Sequence, residues 1–412
     1  GLSSTQYGTS LERLAGVYIQ KGAYDQAEKL LEASVEIIKK EEGRKSVSYV
    51  TSIKSLGELY LINGKYKESQ ALIEESVKLS KKLSDEAVDV PELGSMEEMV
   101  NLYITTGQFD DAEKMLTRSL KQKEEKFGAG HYQLISPYSQ FAELYLIKGD
   151  FIKAESNANK ARDIALETRS DTSLKYIDAL SLLGNIHKEM GREDDALANY
   201  EKALAGNRKI FGDNHINVAN SLIEVADLEL SMKKNPSGIL PNIKEAQNIY
   251  KSKLGENHPD YARSLEFEAV TFIQQERLDE AIGLLVVAQG IYGEKFGNKS
   301  LEYNNNQVFL GDLYYFKKDY KEARDKYESA LTVFKSVFSK YHPSYVGAEG
   351  KLARTYYANK EYSKSMEVLD NTTEKYLEYI ETYFPSLSDK EKNLYWASIK
   401  GDFELYNSLA IS

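Results

Sequence analysis

Five histidines and a surplus of carboxylates are the residues of this sequence with chemistry to offer. Four of the histidines recur in one setting, as FGAGH at His131, FGDNH at His215, GENHP at His258 and KYHPS at His342. An imidazole can ligate a metal or move a proton, but a metal centre needs several ligands converging on one point. These four are spaced 43 or 84 residues apart, which in a repeating chain carries them to successive places rather than to one. They read as anchors of the loop that precedes a helix. His187 stands where neighbouring segments carry an aromatic, and reads as a packed imidazole with one nitrogen satisfied. With no cysteine among the 412 residues, thiolate metal sites, cysteine nucleophiles and disulfides are excluded, which suits a reducing cytoplasm. No nucleophile–base pair, phosphate-cradling glycine loop or metal spacing stands out, so we assign no catalytic residue, no metal and no cofactor.

The carboxylates are more informative. Sixty-four acidic against 53 basic residues leave a net charge of −11, the wrong sign for neutralising phosphates, so direct nucleic-acid binding is not expected. No run of 18 apolar residues would cross a membrane. The opening GLSSTQYGTS lacks the basic and apolar regions of a signal peptide, and Gly1 in place of Met suggests a trimmed or mature fragment. What the carboxylates can do depends on the elements that position them.

Those elements repeat. A small residue recurs as Ala15, Gly57, Val100, Ala142, Gly184, Ala226, Ala269, Gly311 and Ala353, at steps of 42 or 43 residues. Three positions later comes Tyr18, Tyr60, Tyr103, Tyr145, His187, Glu229, Phe272, Tyr314 or Tyr356. A turn follows, led in the early units by glycine, as in KGAYDQA and NGKYKES. Then a second small residue opens another helix, at Ala27, Ser69, Ala112, Ala154, Ala196, Ile239, Ala281, Ala323 and Ser365. Small residues let antiparallel helices approach closely, and an aromatic fills the gap beside them. One hairpin cannot bury its own apolar face, so neighbours stack into a solenoid. The expected architecture is all-α, with about nine helical hairpins over 7–383 and a capping or linker helix over 384–412, leaving an open inner wall. In the sixth unit, Pro236 and Pro241 predict a second helix that starts late. SDEAVDVPEL, ending in the Pro91 that opens the third unit, is a second irregularity.

The pattern of small, aromatic and small resembles the tetratricopeptide repeat, in the 42-residue form of kinesin light chains and many bacterial proteins. EKFGAGHYQL, KIFGDNHINVA, SKLGENHPDYA and SVFSKYHPSYVGA are similar to the inter-repeat signature of that form. The resemblance implies a right-handed superhelix whose first helices line a concave groove, with the residue after the small position facing into it. Here that series runs Gly16, Glu58, Asn101, Glu143, Asn185, Asp227, Val270, Asp312 and Arg354. One turn earlier stand Glu12, Lys54, Glu97, Ser139, Ser181, Ile223, Glu266, Val308 and Gly350. The Lys-plus-Asn pair that chaperone-binding relatives use to grip a carboxylate is not evident, since Lys54 pairs with Glu58. A row of carboxylates on a concave wall favours a basic ligand. The expected partner is therefore a protein or peptide, basic in character, held by Glu12, Glu58, Glu97, Asn101, Glu143, Asn185, Asp227, Glu266, Asp312 and Arg354. Tyr315, Phe316 and Tyr357 stand in the last first helices as candidate aromatic anchors.

Beyond the repeats, Pro385 stops a helix, and Ser388 with Glu391 reads as a capping box for another. Leu394, Tyr395, Ile399, Phe403 and Leu405 give it an apolar stripe, with Trp396 nearby. YFPSLSDKEKNLYWASIKGDFELYNSLA resembles the stretch that follows the repeats in bacterial proteins joining tetratricopeptide arrays to a CHAT domain, a caspase-like module. That resemblance implies a sensor or regulatory portion for a downstream protease, whose catalytic residues are not in this sequence. The alternative is a free-standing assembly adaptor with no attached enzyme.

Overall fold

The structure is a computed structural model that describes residues 4–85, 95–171, 173–232, 234–338, 340, 342–384 and 389–411. Among them are nineteen α-helices and no strand. Eighteen pair as antiparallel hairpins: α1 (Thr5–Gln20) with α2 (Tyr24–Glu42), α3 (Val47–Ile62) with α4 (Tyr66–Asp85), and α5 (Ser95–Thr106) with α6 (Phe109–Phe127). Then come α7 (Ile135–Lys148) with α8 (Phe151–Arg169), α9 (Leu174–Glu189) with α10 (Glu193–Phe211), and α11 (Ile216–Ser231) with α12 (Pro236–Leu254). The last are α13 (Pro259–Gln274) with α14 (Leu278–Phe296), α15 (Leu301–Phe316) with α16 (Tyr320–Val337), and α17 (Pro343–Ala358) with α18 (Tyr362–Tyr383). Helix α19 (Asp389–Ile411) closes the chain.

Both small-residue series are buried in every hairpin. In three hairpins the contact is so close that the first helix has glycine there, at Gly57, Gly184 and Gly311. A methyl group on Gly311 would lie 2.7 Å from the Tyr327 ring, and one on Gly57 would lie 2.8 Å from Ile73. Where the second helix offers only Ala158, the first helix carries Ala142. Ser69 and Ser365 add a hydrogen bond across the contact, donating to the Gly57 and Ala353 carbonyls at 2.8 Å. The turns close with a left-handed residue: Gly64 at φ +70° lets the Lys65 amide donate back to Tyr60.

The recurring histidines cap the starts of first helices, His131 through the short 3-10 turn Tyr132–Leu134 that leads into α7. His131 Nδ1 accepts from the Gln133 amide at 3.4 Å, and Nδ1 of His215, His258 and His342 likewise accepts from the residue two further on. Phe127, Phe211 and Phe338 stack on His131, His215 and His342. The aromatic four residues before each of these histidines thus fixes the ring that satisfies the helix start. His187 is held at both ring nitrogens, by Glu155 at 2.8 Å and Asn199 at 3.1 Å, rather than at one as its position suggested. Helix α12 does not start late. It begins at Pro236, capped by Asn235, and keeps Ile239 in the register of the other second helices. Pro236 occupies the first turn, and Pro241 lies on the exposed side of the helix. Pro91, Pro385, Ser388 and the side chains of Glu391 and Leu394 lie outside the described residues.

Neighbouring first helices touch directly, as α1 does α3, α5 does α7 and α7 does α9, while the second helices are splayed on the outside. The first helices therefore line the concave face. The coil then meets itself six hairpins on. Gly22 faces His258 and Pro259, Tyr24 stacks on Phe296 at 5.1 Å, and Gly64 sits over Ser300. Phe109 stacks against His342, and the Tyr379 hydroxyl donates to the Lys148 carbonyl at 2.6 Å. Each turn between helices thus rests on the loop between hairpins of the following superhelical coil. The inner wall is enclosed as a tube rather than left open, because the rise per coil is small enough for its edges to meet. Helix α19 takes the place of a tenth first helix: Ile399 is buried, Phe403 lies against Tyr376, and Asp402 accepts from Arg354 at 2.8 Å and Tyr376 at 3.0 Å.

Two outcomes are expected. Gly311→Ala gains about 1 kcal/mol in helix propensity but overpacks an immobile ring, so thermal unfolding should show a net loss of about 1–2 kcal/mol. Gly64→Arg drives a side chain into the Ser300 backbone, whereas Gly191, at the equivalent turn, faces nothing within 4 Å. Small-angle scattering should show a larger radius of gyration for Gly64→Arg and none for Gly191→Arg, with helical circular dichroism retained in both.

Candidate functional site

Side chains on the concave faces of the first helices form an acidic wall. At the N-terminal end, Lys54 lies 3.2 Å from Glu58 and 3.5 Å from Glu98. Burial, reinforced by the hydrogen bond with Glu58, pushes the Glu98 carboxyl up to about 7. In the middle, Glu143, Asp178 and Glu224 are each raised, chiefly by burial. Solvent still reaches Glu143 and Asp178. They are nevertheless walled in by the tube, so bulk water solvates them poorly and the neutral form gains. Further on, Glu266 and Glu302 are raised for the same reason.

Several predicted groove residues are already engaged between hairpins. Glu12 accepts from Ser34 and Ser52, Glu97 pairs with Lys123 and accepts from Ser136, and Glu266 accepts from Tyr292 and Asn306. Each ties its own second helix to the next first helix. Asn101 accepts from Gln140, Asn185 from Tyr200, Asp227 from Lys188, and Asp312 from Tyr327 and Lys351. Arg354 is held by Asp402 of α19. Ile223 is buried in the core and Val308 packs against it, because curvature turns that register inward there.

Three recesses gather the rest. Glu97, Asn101 and Glu143 meet Glu98 and Asp178 around about 310 Å³. Glu143 and Asn185 meet Asp178, Ser181 and Glu224 around about 470 Å³. Asp312, Tyr315, Phe316 and Arg354 surround about 360 Å³, with Phe316 65% exposed. Glu12, Glu58, Asp227, Glu266 and Tyr357 lie in none of these three; the Tyr357 ring packs tilted against Tyr362 at 5.4 Å. Sequence reasoning missed Glu98, Asp178 and Glu224. They stand two or six residues before the small position, on the same helical face as the residue after it, so extending the stripe by one turn would have found them.

Among the described residues, no three His, Asp or Glu side chains are arranged to hold a metal ion, and no helix is long and apolar enough to cross a membrane.

A family profile described as "Tetratricopeptide repeat" matches residues 6–82, 92–167 and 176–237, more than half of the chain. The secreted RxLR effector protein RXLR-C07 of Plasmopara halstedii is 24% identical over 185 residues, 45% of this chain and 57% of that protein. The chain thus spans little more than half the length of this relative. Among solved structures, a Rap protein complexed with competence and sporulation factor is similar over 90% of this chain and 99% of its own, with a TM-score of 0.52 and 12% identity. The nearly identical TPR-like repeats of a Podosopora anserina kinesin light chain cover 52% of this chain and 99% of their own, with a TM-score of 0.41 and 18% identity.

Ionised Glu98 is disfavoured in the folded chain, so its contribution to stability is full below pH 4.5 and is lost as pH rises through about 7. Glu98→Gln should therefore be more stable than the parent by about 1–3 kcal/mol near pH 8. The difference should close below pH 4.5, as read by thermal unfolding at the two pH values.

Proposed function

The chain belongs to the tetratricopeptide repeat family, and from that premise we propose that it is a non-catalytic scaffold whose inner wall holds an extended basic stretch of another protein. One observation carries this reading. Glu98, Glu143, Asp178 and Glu224 follow one another along consecutive first helices, their carboxyls raised by the protein around them even where solvent reaches them, with few cations among them. Carboxylates held in that state gain from a cation that water does not supply. The relief of that cost adds to the affinity of a Lys- or Arg-bearing segment lying along the wall. An extended chain also suits a wall that winds along the inside of a superhelix.

A second reading concerns regulation. The tail resembles a repeat-to-CHAT junction, and Arg354 on the wall is bound to Asp402 of α19. A basic side chain of the ligand that competes with Arg354 for Asp402 would release that tie, and through it act on a caspase-like protease attached beyond the tail. A free-standing adaptor is the rival, and the codons after Ser412 distinguish the two. A reducing compartment such as the cytoplasm suits a chain without cysteine.

The groove is tested with a labelled lysine-rich peptide and the variant Glu58→Gln, Glu143→Gln, Asp178→Asn, Glu224→Gln. Affinity should fall by about tenfold or more, and unchanged affinity would reject the reading. Because the wall carboxyls are raised, they must lose protons to meet the cation. Binding to the parent chain should strengthen between about pH 5 and 8 and release protons, measured by calorimetry in buffers of different ionisation enthalpy.

A further inference from the structure

Eleven residues beyond the second small residue, the later second helices carry a side chain that wedges between two successive first helices. Hairpins six to nine place Tyr250, Tyr292, Phe334 and Tyr376 there, all buried. The Tyr250 hydroxyl spans the wedge and donates to Asn220 on the inner wall at 2.6 Å, and that of Tyr292 donates to Glu266 at 3.2 Å. The fifth hairpin has Asn207 instead. Asn207 is shorter by a ring, and here the recess of about 470 Å³ opens into the wall.

Asn207 is 6% exposed. Its Nδ2 donates to Ser221 Oγ at 2.9 Å and to the Asn217 carbonyl at 3.4 Å. A carbonyl can only accept, so this bond fixes which end of the amide is which. Asn207 Oδ1 is left as a buried acceptor with no donor, lining the recess. Gln140, also 6% exposed, repeats the arrangement in the adjoining recess: Nε2 donates to the Glu97 carbonyl at 2.8 Å, and Oε1 has no donor. The walls of the two recesses add the carboxylates of Glu143, Asp178 and Glu224. The larger recess is therefore rich in acceptors with no cationic side chain in its lining, Lys175 standing on the wall of the adjoining one, and this specifies the missing group by its chemistry. A guanidinium is cationic, planar and weakly hydrated, and offers five donors at fixed angles. An ammonium offers three and gives up its water less readily.

We infer that the recess between α9 and α11 is the seat of an arginine side chain of the bound polypeptide, with its guanidinium donating to Asn207 Oδ1 and set among Asp178 and Glu224. The assignment rests on the basic-groove reading and sharpens it from basic to arginine-specific. Hairpins six to nine, with a ring at the wedge position, cannot offer the same seat. Hairpins one to four carry Ile38, Ser80, Lys123 and Ala165 there, so what marks this seat is the unpartnered acceptor of Asn207 together with Asp178 and Glu224.

The test uses the full chain and three labelled peptides of alternating serine with arginine, lysine or citrulline. Citrulline keeps the planar shape of arginine and removes the charge. The arginine peptide should bind about tenfold tighter than the lysine peptide, a difference of about 1.4 kcal/mol, and the citrulline peptide should bind weakest. Asn207→Leu, which removes the acceptor at similar volume, and Glu224→Gln should each abolish the preference for arginine over lysine. Circular dichroism and the thermal transition check that both variants are folded; should Asn207→Leu fail that check, Glu224→Gln decides. Equal affinity for the arginine and lysine peptides, or a preference that survives in the folded variants, overturns the arginine seat and leaves the basic groove standing. If no peptide binds, the groove reading falls and the seat with it.

Discussion

Two helices that touch closely at a position held in most hairpins by glycine, alanine or serine constrain everything else in this molecule. The close approach is local to each hairpin, but its tolerance is a few tenths of an ångström. Gly311 exists because Tyr327 occupies the space its methyl would need, and Ala142 is affordable because Ala158 sits opposite. A buried close contact between facing helices recurs in all nine hairpins despite different sequences. A uniform hairpin is what allows stacking to become a regular coil. A single irregular one would tilt every hairpin after it, which explains why α12 holds its register even with two prolines in its first two turns.

Regularity has a consequence at long range. Six hairpins bring the chain back over itself, and glycine or aromatic side chains at the turns then meet the loops of the next coil, as Gly22 meets His258 and Phe109 meets His342. The histidines thus serve in two places. Each caps its own first helix, and two of them also form the floor on which an earlier coil rests. Enclosure changes the chemistry of the inner wall. Carboxylates that would be ordinary on an open surface lose part of their bulk water inside a tube, and their protonated forms gain. The wall is thereby primed for cations at positions whose residue types are unexceptional.

The fold was legible because it depends on short-range spacing. The small residues, the turn glycines and the capping histidines each act within one hairpin, where sequence distance is spatial distance. The site was legible only in part. Glu143 and Asn185 were found where the repeat register placed them, and they do line a recess. Glu12, Glu97 and Glu266 were found on the same logic, yet their carboxylates knit successive hairpins together. Nothing in the spacing separates the two roles, because both stand on the same face. The difference lies in whether a serine, lysine or tyrosine of the next hairpin happens to reach them.

The amino-acid sequence by itself determined the helical hairpin, its repetition, the caps that start each first helix and the excess of acid on one face. Each of these follows from propensity, size or charge acting over a few residues. Only the tertiary structure decided that the coil closes on itself after six hairpins, that Arg354 belongs to α19, and that the wedge at Asn207 is unfilled. Those outcomes depend on small angles summed over many stacked interfaces, and no single residue carries such a sum.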